Sequence, residues 1–419
     1  MDDTPIIIDN GSYEVKFGPA TNSTPFRALN ALARDKYGNP HLSNQVSRLK
    51  DISNVQFRRP HELGQLTSWE LQSCIWDYCL YNPDEFNWEI GNTKGKHLVL
   101  SEMCMSMPEL SKGTDQVVFE EYEFGSCFKG PVAGFVPFNW QALEHNMIYA
   151  KEDSVHRKDS TGERNEYNDF QLVIDSGFNC TWVVPIVKGI PYYKAVKKLD
   201  IGGRFLNGFL KETLSFRHYN VMDETILVNN IKEKCLFMSP VSYFNSFQKK
   251  EDTAAEYVLP DFQTSFQGYV KQQKQKIPED SQTIKLYDEL FSIPETFFHP
   301  EIASLLKPGI VETILESISM LPEAIRPLMV SNTVVTGGNF NIRNFARRLA
   351  TELQRQCPTD WDVCVSVPNA SDTALFGWDS MRQFSQTTAY QQTRVTREEY
   401  YEHGVDWCTK QRFGYQKWL

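Results

Sequence analysis

Two short segments of this chain repeat one another, and no other feature of the sequence restricts the fold as much. PIIIDNGSYEVKFG occupies 5–18 and QLVIDSGFNCTWVVP occupies 171–185. Each opens with three aliphatic residues, passes through Asp-x-Gly, and closes with a second run of strand formers. Such runs on either side of a glycine are the pattern of a β-hairpin, here with tight turns expected at Asp-Asn-Gly and Asp-Ser-Gly. Asp9 and Asp175 lie 166 positions apart. That spacing is too long for a solenoid and predicts two similar domains facing each other.

Between and after the hairpins the pattern alternates. Residues 67–81 (TSWELQSCIWDYCLY) place Trp69, Leu71, Cys74, Ile75, Tyr78 and Cys79 at helical spacing, behind a Thr67 or Ser68 cap and with Glu70 in the first turn. Further helices are expected over 311–320 and 344–357, and short strands over 98–100, 183–187 and 334–336. Mixed elements of this kind define an α/β class. Two polar stretches read as solvated loops: 151–166, with nine charges in sixteen residues, and 271–282.

Composition narrows the function classes. With 27 Phe, 18 Tyr and 9 Trp in 419 residues, the chain has the aromatic content of a folded protein of two or three domains. Its 53 acidic against 43 basic residues, a net charge of -10, argue against a protein that coats nucleic acid, since that affinity comes from cations replacing counterions on phosphates. No stretch approaches the ~20 apolar residues of a membrane span, and the acidic start MDDTPIIIDNG lacks the features of a secretory signal. Nine cysteines, an odd number without C-x-x-C spacing, read as reduced thiols and a cytosolic or nuclear compartment.

The hairpins carry the chemistry. A glycine in a tight turn lets backbone N–H groups approach a phosphate, and an adjacent aspartate holds Mg²⁺ through water. Two facing copies, with Asp9, Gly11 and Ser12 in one and Asp175 and Gly177 in the other, form a clamp for a polyphosphate. Lys16 adds a point charge. A third glycine element, 332–341 (NTVVTGGNFN), offers Gly337 and Gly338 either to a ribose or flat ring, or simply to a strand-to-helix turn.

Together these segments resemble the actin family over nearly the whole chain. The two hairpins are similar to its phosphate loops, VVTGGNFNIRNFARRL to its adenosine loop, and RRPHELGQLTSWELQSCIWDYCLYN, LDIGGRFLNGFLKETL, NNIKEKCLFM, PGIVETILESISMLP and REEYYEHGVDW follow in the family's order. The resemblance implies an actin-like fold, the fold of the actin, hexokinase and chaperone ATPase superfamily, with two facing domains that each carry a small subdomain around a nucleotide cleft. It divides the chain into subdomain 1 (1–29, 66–138 and 372–419), subdomain 2 (30–65), subdomain 3 (139–201 and 294–371, with a charged insertion at 151–166) and subdomain 4 (202–293). It also implies that Lys232 and Glu233 flank adenine and ribose.

The same resemblance sets expectations for activity. Asp9, Gly11, Ser12, Lys16, Asp175, Gly177, Lys232, Glu233, Gly337 and Gly338 keep the family's nucleotide-contact types, so ATP or ADP is the implied ligand. Tyr13 sits in that set in place of a loop glycine, Phe178 and Asn179 replace an Asp-Gly pair, and Ile342 replaces a tyrosine near adenine. Loss of the second-loop aspartate weakens the case for Mg²⁺, and no residue is assigned as a metal ligand. The family's hydrolytic water is held by a glutamine and a histidine. Here Val132 and Trp182 occupy those places, and no Gln or His occurs over 117–140, so no catalytic residue is assigned and hydrolysis is not expected.

Phrases such as FRALNALARDKYG, QVVFEEYEFGSCFKGPVA, EYVLPDFQTSF and DWCTKQRFGYQ resemble the sixth actin-related subfamily, a nuclear branch. That likeness implies a non-catalytic scaffold in an SWR-class chromatin remodelling complex, which exchanges a variant histone into nucleosomes. Its partners are other subunits, with local and shared nucleosome contact, and its location is the nucleus with some cytoplasmic pool. The divergent 33–59 segment argues against filaments. Aromatic residues of the tail, Tyr400, Tyr401, Trp407, Phe413, Tyr415 and Trp418, are either interface anchors or core. The basic groups Arg58-Arg59, Lys194 with Lys197-Lys198, and Arg343 with Arg347-Arg348 read either as local phosphate contacts or as ordinary solvated faces. The alternative function is a nucleotide-hydrolysing actin-like ATPase.

Overall fold

A computed structural model describes residues 4–143, 146–151, 169–240, 254–263, 265–272, 274–369 and 372–408. Residues 152–166 of the expected charged loop lie outside these, as do Phe413, Tyr415 and Trp418 of the tail.

Each hairpin forms the centre of a large sheet. In the first, Ile6–Asn10 pairs antiparallel with Glu14–Pro19 and parallel with His97–Ser101. The full order is Val395–Thr396, Ser126–Gly130, His97–Ser101, Ile6–Asn10, Glu14–Pro19, Phe26–Leu29. In the second, Phe170–Ser176 pairs antiparallel with Thr181–Val187 and parallel with Thr333–Thr336. The sequence repeat is therefore a repeat of topology, a hairpin whose first strand has a parallel neighbour on its other side.

The aliphatic triplets are buried on both faces because helices and loops cover both sides of each sheet. Side chains alternate along a strand, so Ile6 and Ile8 pack with Ile75 and Trp76 of the helix Trp69–Leu80, while Ile7 faces a second core with Trp378 and Phe384. The second triplet divides likewise. Leu172 and Ile174 join the largest core, with Leu206, Leu210, Ile314 and Leu349 from three helices, and Val173 packs with Val136 and Val184 on the opposite face.

The expected strands fall within His97–Ser101, Thr181–Val187 and Thr333–Thr336, and the helices form as Trp69–Leu80, Ile310–Ser319 and Phe345–Gln356. Two local expectations change. The helix starts directly after Ser68 without a side-chain cap bond, and Cys74 is exposed, outside the apolar stripe. The hairpin turns lie further along than Asp-x-Gly suggested. Asp9 pairs with Lys16 and Asp175 with Trp182, so both aspartates belong to strands and the turns are Gly11 to Glu14 and Gly177 to Cys180. A four-residue turn closes with Gly177 N–H donating to Cys180 O at 3.0 Å, whereas turning at the aspartates would break two ladder pairs.

Among the described residues there are also two small three-stranded sheets and a two-stranded pair, His61–Glu62 with Gln65–Leu66. Leu32–Arg34 pairs with Pro40–Leu42 and Gln56–Arg58, and Ala255–Val258 pairs with Tyr269–Val270 and Thr283–Leu286. The polar segment 271–282 is mostly exposed, with Lys271 held by Glu256 at 2.6 Å.

Candidate nucleotide cleft

The tips of the two hairpins face one another across a cavity of about 430 Å³. Asp9, Gly11, Ser12, Tyr13 and Lys16 line it from the first hairpin, Asp175 and Gly177 from the second, Lys232 and Glu233 from the helix Thr225–Cys235, and Gly337 and Gly338 from the turn after Thr333–Thr336. The structure thus brings every sequence-predicted site residue to one place.

At the floor, antiparallel register sets Lys16 opposite Asp9, and Lys16 Nζ donates to Asp9 Oδ2 at 3.0 Å. Ser101, from the parallel neighbour, donates to Asp9 Oδ1 at 2.8 Å. Burial opposes the Lys16 charge, but Asp9 and Glu14 outweigh it and raise its pKa. Asp175 differs. Burial, then the facing charge of Asp9, pushes its carboxyl up to about 7, with Lys16 offsetting only part. Asp175 makes no ion pair among the described residues, and no group of three or more His, Cys, Asp or Glu side chains there could hold a metal ion.

Close approach requires two of the cleft glycines, Gly11 and Gly337, whereas Gly177 and Gly338 have only ordinary contacts about them. A Cβ at Gly11 would lie 2.7 Å from Glu14 O. Gly337 has φ +95° and a Cβ there would lie 2.2 Å from Ser176 O, so no other residue fits. Gly338 starts a short 3-10 turn whose Asn339 donates to Ser176 Oγ at 3.0 Å and Gly177 O at 2.7 Å, tying the third glycine element to the second hairpin. These cradles, with the N–H groups of two turns, fit the phosphate and ribose of a nucleotide.

Val132 and Trp182 both line the cavity. Val132 begins a helical turn against Gly377, where a Cβ would lie 2.6 Å from Val132 Cγ1. Trp182 sits opposite Asp175 in the ladder. At the two positions that the family resemblance gives to water-holding residues, the cavity wall thus carries side chains without a hydrogen-bond acceptor, the Trp182 indole N–H being a donor only.

Several cleft residues escaped the sequence reading. His61 lines the cavity, and burial, then Arg59, pushes its imidazole down to about 4, so it is neutral. Its Nδ1 lies 3.4 Å from Asn30 Nδ2, which also donates to Gly11 O at 2.8 Å. Asn229 donates to Glu233 Oε1 at 2.8 Å and accepts from Lys232 Nζ at 2.9 Å. Burial lowers Lys232 to about 8 despite Glu233. Arg27 bridges Glu14 at 2.6 Å and Asp372 at 2.8 Å. Asn229 sits three and four residues before Lys232 and Glu233, a helical-face spacing that would have flagged it.

The basic groups are corrected in part. Arg59 is not a surface partner of Arg58 but packs over the cleft rings of Tyr13 and Phe178. Arg348 is buried against Glu295 and Glu352, at 3.0 and 2.7 Å. Lys197 and Lys198 are paired with Glu316 and Asp200. In the tail, Tyr400 is core, stacked 4.8 Å from Phe119, while Tyr401 is exposed.

Two facing hairpin sheets around a glycine-cradled cleft define the class, and the sequence profile of the Actin family matches residues 2–413. The chain belongs to the actin family. Within it, the chain groups with relatives named Actin-like protein ARP6: it is 65% identical to that of Saccharomyces cerevisiae over 100% of both chains. It is also 65% identical to that of Eremothecium gossypii over 99% of both, and 37% to that of Candida albicans over 98% of both.

Proposed function

We propose that this chain is a non-catalytic structural subunit of an SWR-class chromatin remodeller, a nuclear protein with some cytoplasmic pool, whose cleft binds ATP or ADP without turning it over. One observation carries this reading: the residues suited to phosphate and ribose line the same cavity as Val132 and Trp182, neither of which offers a hydrogen-bond acceptor to orient a water in line. Lys16 and the turn N–H groups would take the phosphates, and Lys232 and Glu233 the nucleoside. A bound nucleotide would add its own links between the two halves. Asp9 is already spent on Lys16 and Ser101, and Asp175, with its carboxyl pushed up to about 7, is only about half ionised near neutral pH, so a divalent ion is weakly supported. The remodeller assignment is supported by the ARP6 relatives and by the subfamily phrases in the sequence.

Titration calorimetry with MgADP, beside the Asp9→Ala/Asp175→Ala variant, tests binding. Heat is expected from the native chain and little from the variant; equal heats would sink a specific site. Steady phosphate release from ATP would overturn the non-catalytic reading. His61 favours a second reading, a slow hydrolase with a neutral imidazole in the cleft, in which His61→Asn abolishes that release. Recovery from nuclear extract with other subunits, and not as a free monomer, is the expected result for the scaffold role.

A further inference from the structure

We propose that Tyr13, Phe178 and Arg59 form a latch that holds the two halves of the cleft closed without a ligand. Tyr13 comes from the first hairpin turn and Phe178 from the second, and their rings meet directly, with centroids 5.1 Å apart at 44°. The Arg59 guanidinium lies over both, 4.9 Å from the Tyr13 ring and 4.8 Å from the Phe178 ring. Both rings therefore share one cation.

Arg59 is fixed on the first side. Its Nη1 donates to the carbonyls of Ser12, Tyr13 and Asn30 at 3.2, 3.0 and 3.1 Å. It makes no ion pair among the described residues, and burial lowers its pKa only to about 10, so it stays charged. A desolvated guanidinium without a carboxylate partner gains most from ring faces. On the second side, Phe178 O accepts from Arg204 N–H at 2.7 Å, which anchors its turn to the start of the helix Gly203–Arg217.

The contact extends to a third wall. The Tyr13 hydroxyl accepts from Asn229 Nδ2 at 3.1 Å, and Asn229 in turn holds Lys232 and Glu233. Burial, then Glu233, pushes the Tyr13 phenol up to about 12, so it remains neutral at the cleft. Two hairpin turns, the Arg59 segment and the helix Thr225–Cys235 thus meet at one stack. Closure by this stack stands whether or not a nucleotide enters the cavity beneath it.

Hydrogen exchange on the full-length protein tests this. Without nucleotide, the native chain is expected to protect both hairpin turns and the helix Thr225–Cys235, with MgADP changing their exchange less than about threefold. Phe178→Ala is expected to speed exchange about tenfold on both walls together, the loss of one aromatic and one cation–π contact, while the strands Met147–Tyr149 and Cys364–Ser366 stay protected. Tyr13→Phe keeps the ring, removes only the hydroxyl that accepts from Asn229, and is expected to loosen only the helix Thr225–Cys235. The proposal fails if that helix exchanges at the native rate in both variants. It also fails if MgADP slows exchange of the native helix tenfold or more, because then the ligand and not the stack closes the cleft.

Discussion

At His61, burial beside the Arg59 guanidinium converts a packing choice into a pH dependence. The folded pKa of about 4 lies below the ordinary value near 6.5, so the unfolded chain takes up a proton first as the pH falls. The contribution is complete above about pH 6.5, and it is lost as the pH falls toward 4, by about 3 kcal/mol at most. His61→Gln is expected to flatten this dependence. Urea unfolding at about pH 7.5 and about pH 4.5 checks it: the native midpoint should drop more than that of the variant, and parallel drops would show that other groups dominate.

At the scale of elements, the glycine turn after Thr333–Thr336 and the helix Gly203–Arg217 make opposite predictions for one substitution. Gly337→Ala forces a methyl group into the Ser176 carbonyl at positive φ, and is expected to cost about 3 kcal/mol or more. Gly208, inside the helix with nothing within 4 Å of its would-be Cβ, should instead gain about 0.7 kcal/mol on conversion to alanine. Chemical denaturation of both variants distinguishes the signs. The hairpins were legible from sequence because three aliphatic residues, an aspartate and a glycine are local signals that need only a strand period to interpret. Their turns were misplaced by a few residues because the ladder pairs Asp9–Lys16 and Asp175–Trp182 depend on the whole sheet. The cleft glycines and charges were legible through their resemblance to known loops. Arg59 and His61 were not, since each is one ordinary residue whose role arises only when distant turns meet, and Arg59 was hidden in a basic dipeptide that reads as surface.

Over the whole molecule, the divergent 33–59 segment forms its own small sheet, Leu32–Arg34 with Pro40–Leu42 and Gln56–Arg58. Sedimentation of the purified chain with MgATP is expected to leave it in the supernatant, and pelleting as long polymers would overturn the scaffold reading. The core on the Ile7 face of the first sheet also joins the two ends of the described chain. Ile7 packs against Trp378, Met381 and Tyr390, Trp378 Nε1 donates to Ile7 O at 3.3 Å, and Val395–Thr396 supplies the sheet's outer strand. On the ribosome, then, the Ile7 face of the first hairpin emerges long before Trp378, Met381 and Tyr390 exist to complete its cover. At roughly 5–20 residues per second the hairpin waits about 20–70 s with that aliphatic face only partly covered. The second hairpin meets Thr333–Thr336 sooner, so the later half of the chain is the half able to finish folding first.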